Sequence, residues 1–472
     1  MTQDLCFLSA TTLAHQIRSK QLSAVEVMQA HLKQIERVNP KVNALVTLDA
    51  EGALAKAKAA DAKQARGEAL GPLHGLPIAH KDLFATKGMR TTMGSKIFKD
   101  QVPDHSMLVV ERSWNAGAIC VGKTNTPEFG AGSQTFNAVF GATKNPYDLS
   151  KTCGGSSGGA GVVLATGMLP LADGSDLGAS LRNPGNFCNV VGLRTSPGRV
   201  PAYPNKHLWD TLGVEGPMAR TVEDAALLLS VQSGPDDRVP ISLMEPGASF
   251  RAPLARDFKG IRVGFSPTLG GQVPVDQRVE NIIAAQDKVF ANLGCVLDDS
   301  VPDFSGAHEV FLTLRAHLFE LKNGAYLDNH RDQLKETVIW NIEAGRKLSC
   351  ADVARADTER SRIYSRVAAY FETHEFLVTV VNQVPPFPIE QEYVDQINGE
   401  KLLTYLDWMK SCYYITITGH PAISVPAGFT DDGLPVGIQI VGRRNADFAV
   451  LQLAYAFEQA TRVGLRRPAI AA

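Results

Sequence analysis

Beyond residue 75, short apolar runs alternate with segments of helical period, and this alternation confines the chain to an α/β architecture. Pro77-Ile78-Ala79 reads as a buried strand that closes on the charged Lys81-Asp82. Met107 to Ala116 is expected to be a helix and Ala118 to Val121 a strand. The same pairing repeats with Gly158 to Thr166 and Met168 to Ala172, then with Val222 to Ser233 and Ile261 to Phe265. Residues 305–375 are mostly helical by period and rich in charge. Phe376 to Val381, Ile423 to Pro426 and Val436 to Val441 are further strands, and Phe448 to Thr461 is the last helix.

Upstream, Ser23 and Glu26 form a capping box, with Val25, Met28, Leu32 and Ile35 behind it at helical spacing; Pro40 is expected to stop that helix. A second helix covers about Glu51 to Arg66, so the first 70 residues read as a helical layer. Residues 235–258 turn proline-rich and polar, as a surface crossing would. Strands lie on both sides of the charged helical section, which favours one domain with an insertion. Its sections are 1–70, the helical layer; 71–235, the chemical core; 236–400, a variable helical section; and 401–472, closing strands and helix.

Bulk properties exclude several classes. A net charge of −2 over 472 residues argues against nucleic acid as the main partner, because phosphate binding needs a basic face; local basic patches are still allowed. No apolar run approaches the ~18 residues of a membrane span. Met1 to Ala10 carries Asp4 and lacks a basic segment ahead of a long apolar one, so a cytoplasmic location is expected. The seven cysteines are odd in number, widely spaced and without C-x-x-C, which suits a reducing compartment and no zinc site. Cys153 and Cys188 are expected to be packing residues.

Chemistry concentrates in the middle of the chain. Ser156 lies in Gly154-Gly155-Ser156-Ser157-Gly158-Gly159. Ser180 follows 24 positions later, at the end of Gly174-Ser175-Asp176-Leu177-Gly178-Ala179-Ser180. Glycine lets main-chain N–H groups come close to a ligand, and a hydroxyl beside such backbone can be a nucleophile beside an oxyanion hole. Two familiar patterns also match. Gly117 to Thr124 fits G-x-x-x-x-G-K-T, but its Ala-Ile-Cys-Val interval is strand-like and a helix precedes it, so a phosphate loop is not expected. Gly154 to Gly158 fits G-x-S-x-G, but polar turn residues precede it where a strand is required. A serine needs a base, and Lys81 at the end of an apolar strand can act as one if burial lowers its pKa.

These residues resemble the amidase signature hydrolases. The likeness runs from Gly75-Leu76-Pro77-Ile78 and Lys81-Asp82 through Val121 to Phe129 and Phe140 to Pro146. It continues through both serine motifs to Arg182, and returns at Gly419 to Gly428 and Gly433 to Gln439. The resemblance implies a central mixed twisted β-sheet covered by helices on both faces. It implies Ser180 as nucleophile, Ser156 as a bridging serine after a cis peptide bond, and Lys81 as base. It places the oxyanion hole at the N–H groups of Leu177, Gly178, Ala179 and Ser180, and the pocket wall near Gly130. Ser157, Asp176 and Arg182 are supporting residues, the last two pairing or anchoring the loop. The reaction implied is hydrolysis of a linear C–N bond in a small amide, with no cofactor, no metal and a homodimer allowed. The alternatives are the glutaminase subunit of a tRNA-dependent amidotransferase and a hydrolase of carbamates, ureas or esters. Leu193-Arg194-Thr195-Ser196-Pro197 resembles stand-alone amidases, since the glutaminase subunit usually reads Lys-Pro-Thr there.

One departure stands inside the motif. Many relatives have Gly-Gly-Ser where this chain has Gly178-Ala179-Ser180. The alanine is expected to fit without left-handed backbone and to leave the hole intact. Phe129, Trp209, Phe319 and Trp340 are candidate apolar contacts for substrate, with ordinary core packing as the alternative.

Overall fold

The computed structural model describes residues 5–471. Residues 1–4, part of the N-terminus read above, lie outside the described residues. Eleven strands form one sheet. In chain order they are β1 (Leu45–Leu48), β2 (Pro77–Lys81), β3 (Ile119–Thr124), β4 (Leu171–Asp176), β5 (Val191–Arg194) and β6 (Val214–Ala219). Then follow β7 (Arg262–Phe265), β8 (Val296–Asp298), β9 (Phe376–Val380), β10 (Ala422–Phe429) and β11 (Pro435–Gly442). Their spatial order is β1-β3-β2-β4-β6-β5-β10-β11-β9-β7-β8. The sheet is mixed. β2 runs parallel to both β3 and β4, and β7 runs parallel to β8 and β9. β4, β6, β5, β10, β11 and β9 are joined by antiparallel pairing.

Alternation along the strands sends neighbouring side chains to opposite faces. Ile78, Leu171 and Ala219 enter one apolar core; Ala79, Ala172 and Met218 enter another. Helices cover each. On the second face lie α1 (Ala24–Val42), α2 (Ala50–Ala65) and α3 (Gly158–Ala165), contributing Met28, Ala53 and Val162. The short α4 (Arg182–Phe187) follows the second serine motif. On the first face, α5 (Val222–Gln232) contributes Leu228. The charged region becomes three long helices, α6 (Ala307–His330), α7 (Glu336–Arg346) and α8 (Cys350–Thr373). Next come α9 (Lys410–Thr418) and α10 (Asp447–Thr461); Leu451 of α10 packs on the first face. The fold is the single α/β domain expected. Among the described residues no helix is long and apolar enough to cross a membrane.

Several boundaries differ from the sequence reading. Pro40 does not end α1. It sits in the last turn, where only the bond to the carbonyl four residues back is lost, and the chain continues to Val42 before Asn43 closes it at φ 53°. β4 begins at Leu171, after Pro170, which has no N–H to offer a ladder. The N-terminal layer is not wholly helical, because Leu45–Leu48 adds an edge strand. Val214–Ala219 is fully buried between β4 and β5, although its Gly216-Pro217 reads as a turn.

Candidate active site

β2 and β4 are parallel neighbours, so both end on the same edge of the sheet, where open α/β sheets leave a crevice. Lys81 is the last residue of β2, and Ser175-Asp176 close β4. The turn carrying Ser156 and Ser157 leads into α3, and the loop 177–181 leads into α4. These connections meet at a cavity of about 190 Å³ lined by Ser156, Ser175, Leu177, Ser180, Leu83 and Gly130, among others.

Lys81 is wholly buried. Its Nζ donates to Ser156 Oγ at 2.7 Å, Ser157 Oγ at 2.9 Å and Ser175 Oγ at 3.1 Å. Burial pushes its pKa down to about 7, against the opposing pull of Asp176 and Asp173. At neutral pH about half of the amine is therefore unprotonated and able to accept a proton. The Gly155–Ser156 peptide bond is cis. Ser180 is 8% exposed and lines the same cavity, and its Oγ makes no hydrogen bond among the described residues. The structure thus brings Lys81 and Ser156 into contact and sets Ser180 beside them with a free hydroxyl.

The loop before Ser180 is held by its carbonyls. The Asp176 carbonyl accepts from Arg194 Nη1 at 2.5 Å, Gly178 from Arg182 Nη2 at 2.9 Å, Ala179 from Asn183 N at 2.7 Å and Ser180 from Ser157 N at 3.2 Å. The N–H groups of Leu177, Gly178, Ala179 and Ser180 have no acceptor among the described residues. Four successive donors are left over, and unpaired N–H groups beside a cavity can stabilise an oxyanion. Ala179 is not among the residues with positive φ, and its methyl is buried in the apolar core, so the alanine brings no left-handed strain. Gly130 does need to be glycine: its φ is +71°, and a Cβ there would stand 3.2 Å from Leu83 Cδ1 and 3.4 Å from Ser156 Oγ.

Asp176 and Arg182 form a wholly buried two-point pair, with Nε and Nη2 each at 3.0 Å from a carboxylate oxygen. Arg194 adds a third bond at 3.2 Å. Burial alone would raise the Asp176 pKa, but the two guanidiniums outweigh it and hold the carboxyl at about 2. Arg182 also donates to the Cys412 carbonyl, Gln439 Oε1 and Thr416 Oγ1 at 2.7–2.9 Å, tying the loop to α9 and β11.

Of the four aromatic candidates, Phe129 and Phe319 line the cavity. Trp209 and Trp340 do not; they are 67% and 43% exposed, the first on the outer part of a loop and the second edge-on to Tyr405. Cys153 and Cys188 are buried, and burial raises both thiols, Cys153 to about 12. Lys123 of the G-x-x-x-x-G-K-T match lies within β3, buried, donating to Thr86 Oγ1 at 2.7 Å and to the Phe84 carbonyl. The sequence reading missed Ser175, Arg194, Glu215 and Arg315. Ser175 stood in the glycine motif already quoted. The other three carry no local signal of their place, because each reaches the site from another strand or helix.

The model of the amidase family matches residues 26–451 of this chain. An acylamidase of Rhodococcus erythropolis is 35% identical over 474 residues, covering 99% of this chain and 98% of that protein. A glutamyl-tRNA(Gln) amidotransferase subunit from Carboxydothermus hydrogenoformans is 35% identical over 493 residues, covering 98% and 99%. Among solved structures, a bacterial aryl acylamidase of the amidase signature family superposes with a TM-score of 0.91 at 30% identity, covering 98% of this chain and 99% of its own. A 6-aminohexanoate cyclic dimer hydrolase gives 0.90 at 26%, with the same coverage. The chain belongs to the amidase signature family.

Proposed function

We propose that the chain hydrolyses the C–N bond of a small linear amide through an acyl-enzyme on Ser180. The observation that carries this reading is a buried Lys81 held near neutrality in contact with Ser156, next to four unpaired N–H groups. Unprotonated Lys81 takes the proton of Ser156 as Ser156 takes that of Ser180. Ser180 Oγ attacks the carbonyl carbon, and the loop N–H groups receive the oxyanion. Ser156 returns a proton to the leaving nitrogen, which cannot depart as an anion. Water then cleaves the ester by the same route. The link between Ser156 and Ser180 is completed when substrate is seated, as catalytic hydrogen bonds often are. The walls from α6 support selectivity residing in the variable section 236–400. The acylamidase relatives support a stand-alone enzyme, whereas the amidotransferase relatives support glutamine as substrate.

The test is a panel of amides of varied acyl and amine size, with glutamine included, together with intact-mass detection of an adduct from a serine-directed fluorophosphonate. Wild type is expected to release ammonia or amine and to carry one adduct, which Ser180→Ala lacks. Equal hydrolysis by both proteins would overturn Ser180 as nucleophile. Turnover of glutamine alone would favour the glutaminase reading.

A further inference from the structure

One face of α6 meets the site. Phe311, Arg315, Leu318, Phe319 and Lys322 recur at helical spacing, and the last four line the cavity. Phe311 packs on the oxyanion loop: a Cβ on Gly178 would come within 3.0 Å of its Cζ. Arg315 lies one turn further along, about 6 Å of helical rise.

Arg315 is 5% exposed and carries a permanent charge. Of its N–H donors, only Nη2 reaches an acceptor among the described residues, Tyr405 Oη at 2.8 Å; Nε is buried with none. The guanidinium lies 4.4 Å from the Phe319 ring centre and 6.0 Å from that of Tyr405. No carboxylate pairs with it among the described residues. Buried Arg182, Arg194 and Arg199, by contrast, each contact an aspartate. The other charges around the cavity do not balance it. Asp210 is held by Lys322 at 2.7 Å. Burial, with Asp173 nearby, lifts the Glu215 carboxyl to about 8, so it is mostly neutral at pH 7. A buried cation without a counter-ion is costly, and the flat fork of a guanidinium matches a carboxylate at two points.

We propose that Arg315 receives a carboxylate on the substrate, so that the enzyme prefers short amides carrying a carboxylate a few bonds from the scissile carbonyl. This rests on the amidase reading above and names its substrate class. The cavity of about 190 Å³, which Ser180 and Arg315 line together, suits a short chain such as that of glutaramate.

The test compares glutaramate with pentanamide and with the methyl ester of glutaramate, as primary amides and as anilides, reading release of ammonia or aniline. Wild type is expected to show at least tenfold higher kcat/KM for the free acid than for either neutral compound. Arg315→Met is expected to collapse that ratio at least tenfold, and the wild-type comparison stands by itself if the variant fails to fold. Equal turnover of acid and neutral amides by wild type would overturn the assignment of Arg315 and leave the amidase reading intact. A ratio unchanged in a folded Arg315→Met would overturn it as well. Release from none of the compounds would overturn both readings together.

Discussion

Replacing Lys81 with methionine is expected to make the protein inactive and, at neutral pH, more stable. The unfolded lysine titrates near 10.5, whereas burial brings the folded one to about 7. Folding at pH 7 therefore disfavours the proton by about 5 kcal/mol, at roughly 1.36 kcal/mol per unit. Methionine fills similar space without that cost, but leaves the hydroxyls of Ser156, Ser157 and Ser175 without their shared donor, which costs about 1–3 kcal/mol. A net gain of about 2–4 kcal/mol remains. Its sign with pH follows from proton counting. Between about pH 7 and 10.5 the unfolded wild type holds a proton that the folded form lacks, so wild-type stability rises with pH in that window. The lead of Lys81→Met should then shrink by about 1.4 kcal/mol per pH unit, vanish between about pH 8.5 and 10, and reverse above that. Melting temperatures of both proteins by calorimetry from pH 6.5 to 10, at one scan rate, give the comparison. A variant no more stable than wild type at pH 7, or a gap that stays constant across the window, would refute a buried lysine near neutrality.

The same shift predicts that kcat/KM rises with pH through about 7 to a plateau, because the unprotonated amine is the active form; a profile flat from pH 5 to 8 would contradict it. Ser156→Ala should lower kcat by about 10²–10⁴-fold with the fold intact by circular dichroism, the usual span for a proton-transfer group. Gly130→Ala places a methyl against Ser156 at positive φ and should cost about 1 kcal/mol in stability and about tenfold in kcat/KM, read by thermal melting and steady-state rates. Asp176→Asn leaves two buried guanidiniums without their anion and should destabilise the protein by about 3–5 kcal/mol in denaturant titrations.

What could be read in advance follows from how local each signal is. Lys81, Ser156 and Ser180 lie in glycine-rich or strand-ending segments whose local pattern marks each of them, although the contacts from Lys81 to Ser156, Ser157 and Ser175 span 75, 76 and 94 positions. The long helices announced themselves by period, and the first also by its capping box at Ser23. The strand at Val214–Ala219 did not, because Gly216 and Pro217 weaken a strand pattern and only burial between two other strands overrides them. Arg315 and Glu215 were illegible for a related reason. A buried charge looks like a surface charge in a sequence until the elements packed around it are known. Trp209 and Trp340 show the converse, since aromatic type alone suggested an inward position that their loop and helix faces do not give them.

The brace through Arg182 has a consequence for biosynthesis. Its guanidinium joins Asp176 to Cys412 and Gln439, partners 230 and 257 positions further along the chain. While the chain is still being made, the Ser180 loop emerges long before the strand and helix that complete its brace. Lys81, Ser156 and Ser180 can then be present with the Gly178 carbonyl still lacking the Thr416 hydroxyl of α9, which reaches it at 3.3 Å in the finished fold. Docking of β11 and α9 supplies the Arg182 guanidinium with its remaining acceptors. A nascent chain ending before Cys412 would accordingly carry Lys81, Ser156 and Ser180 while the Arg182 guanidinium still lacked its partners in α9 and β11.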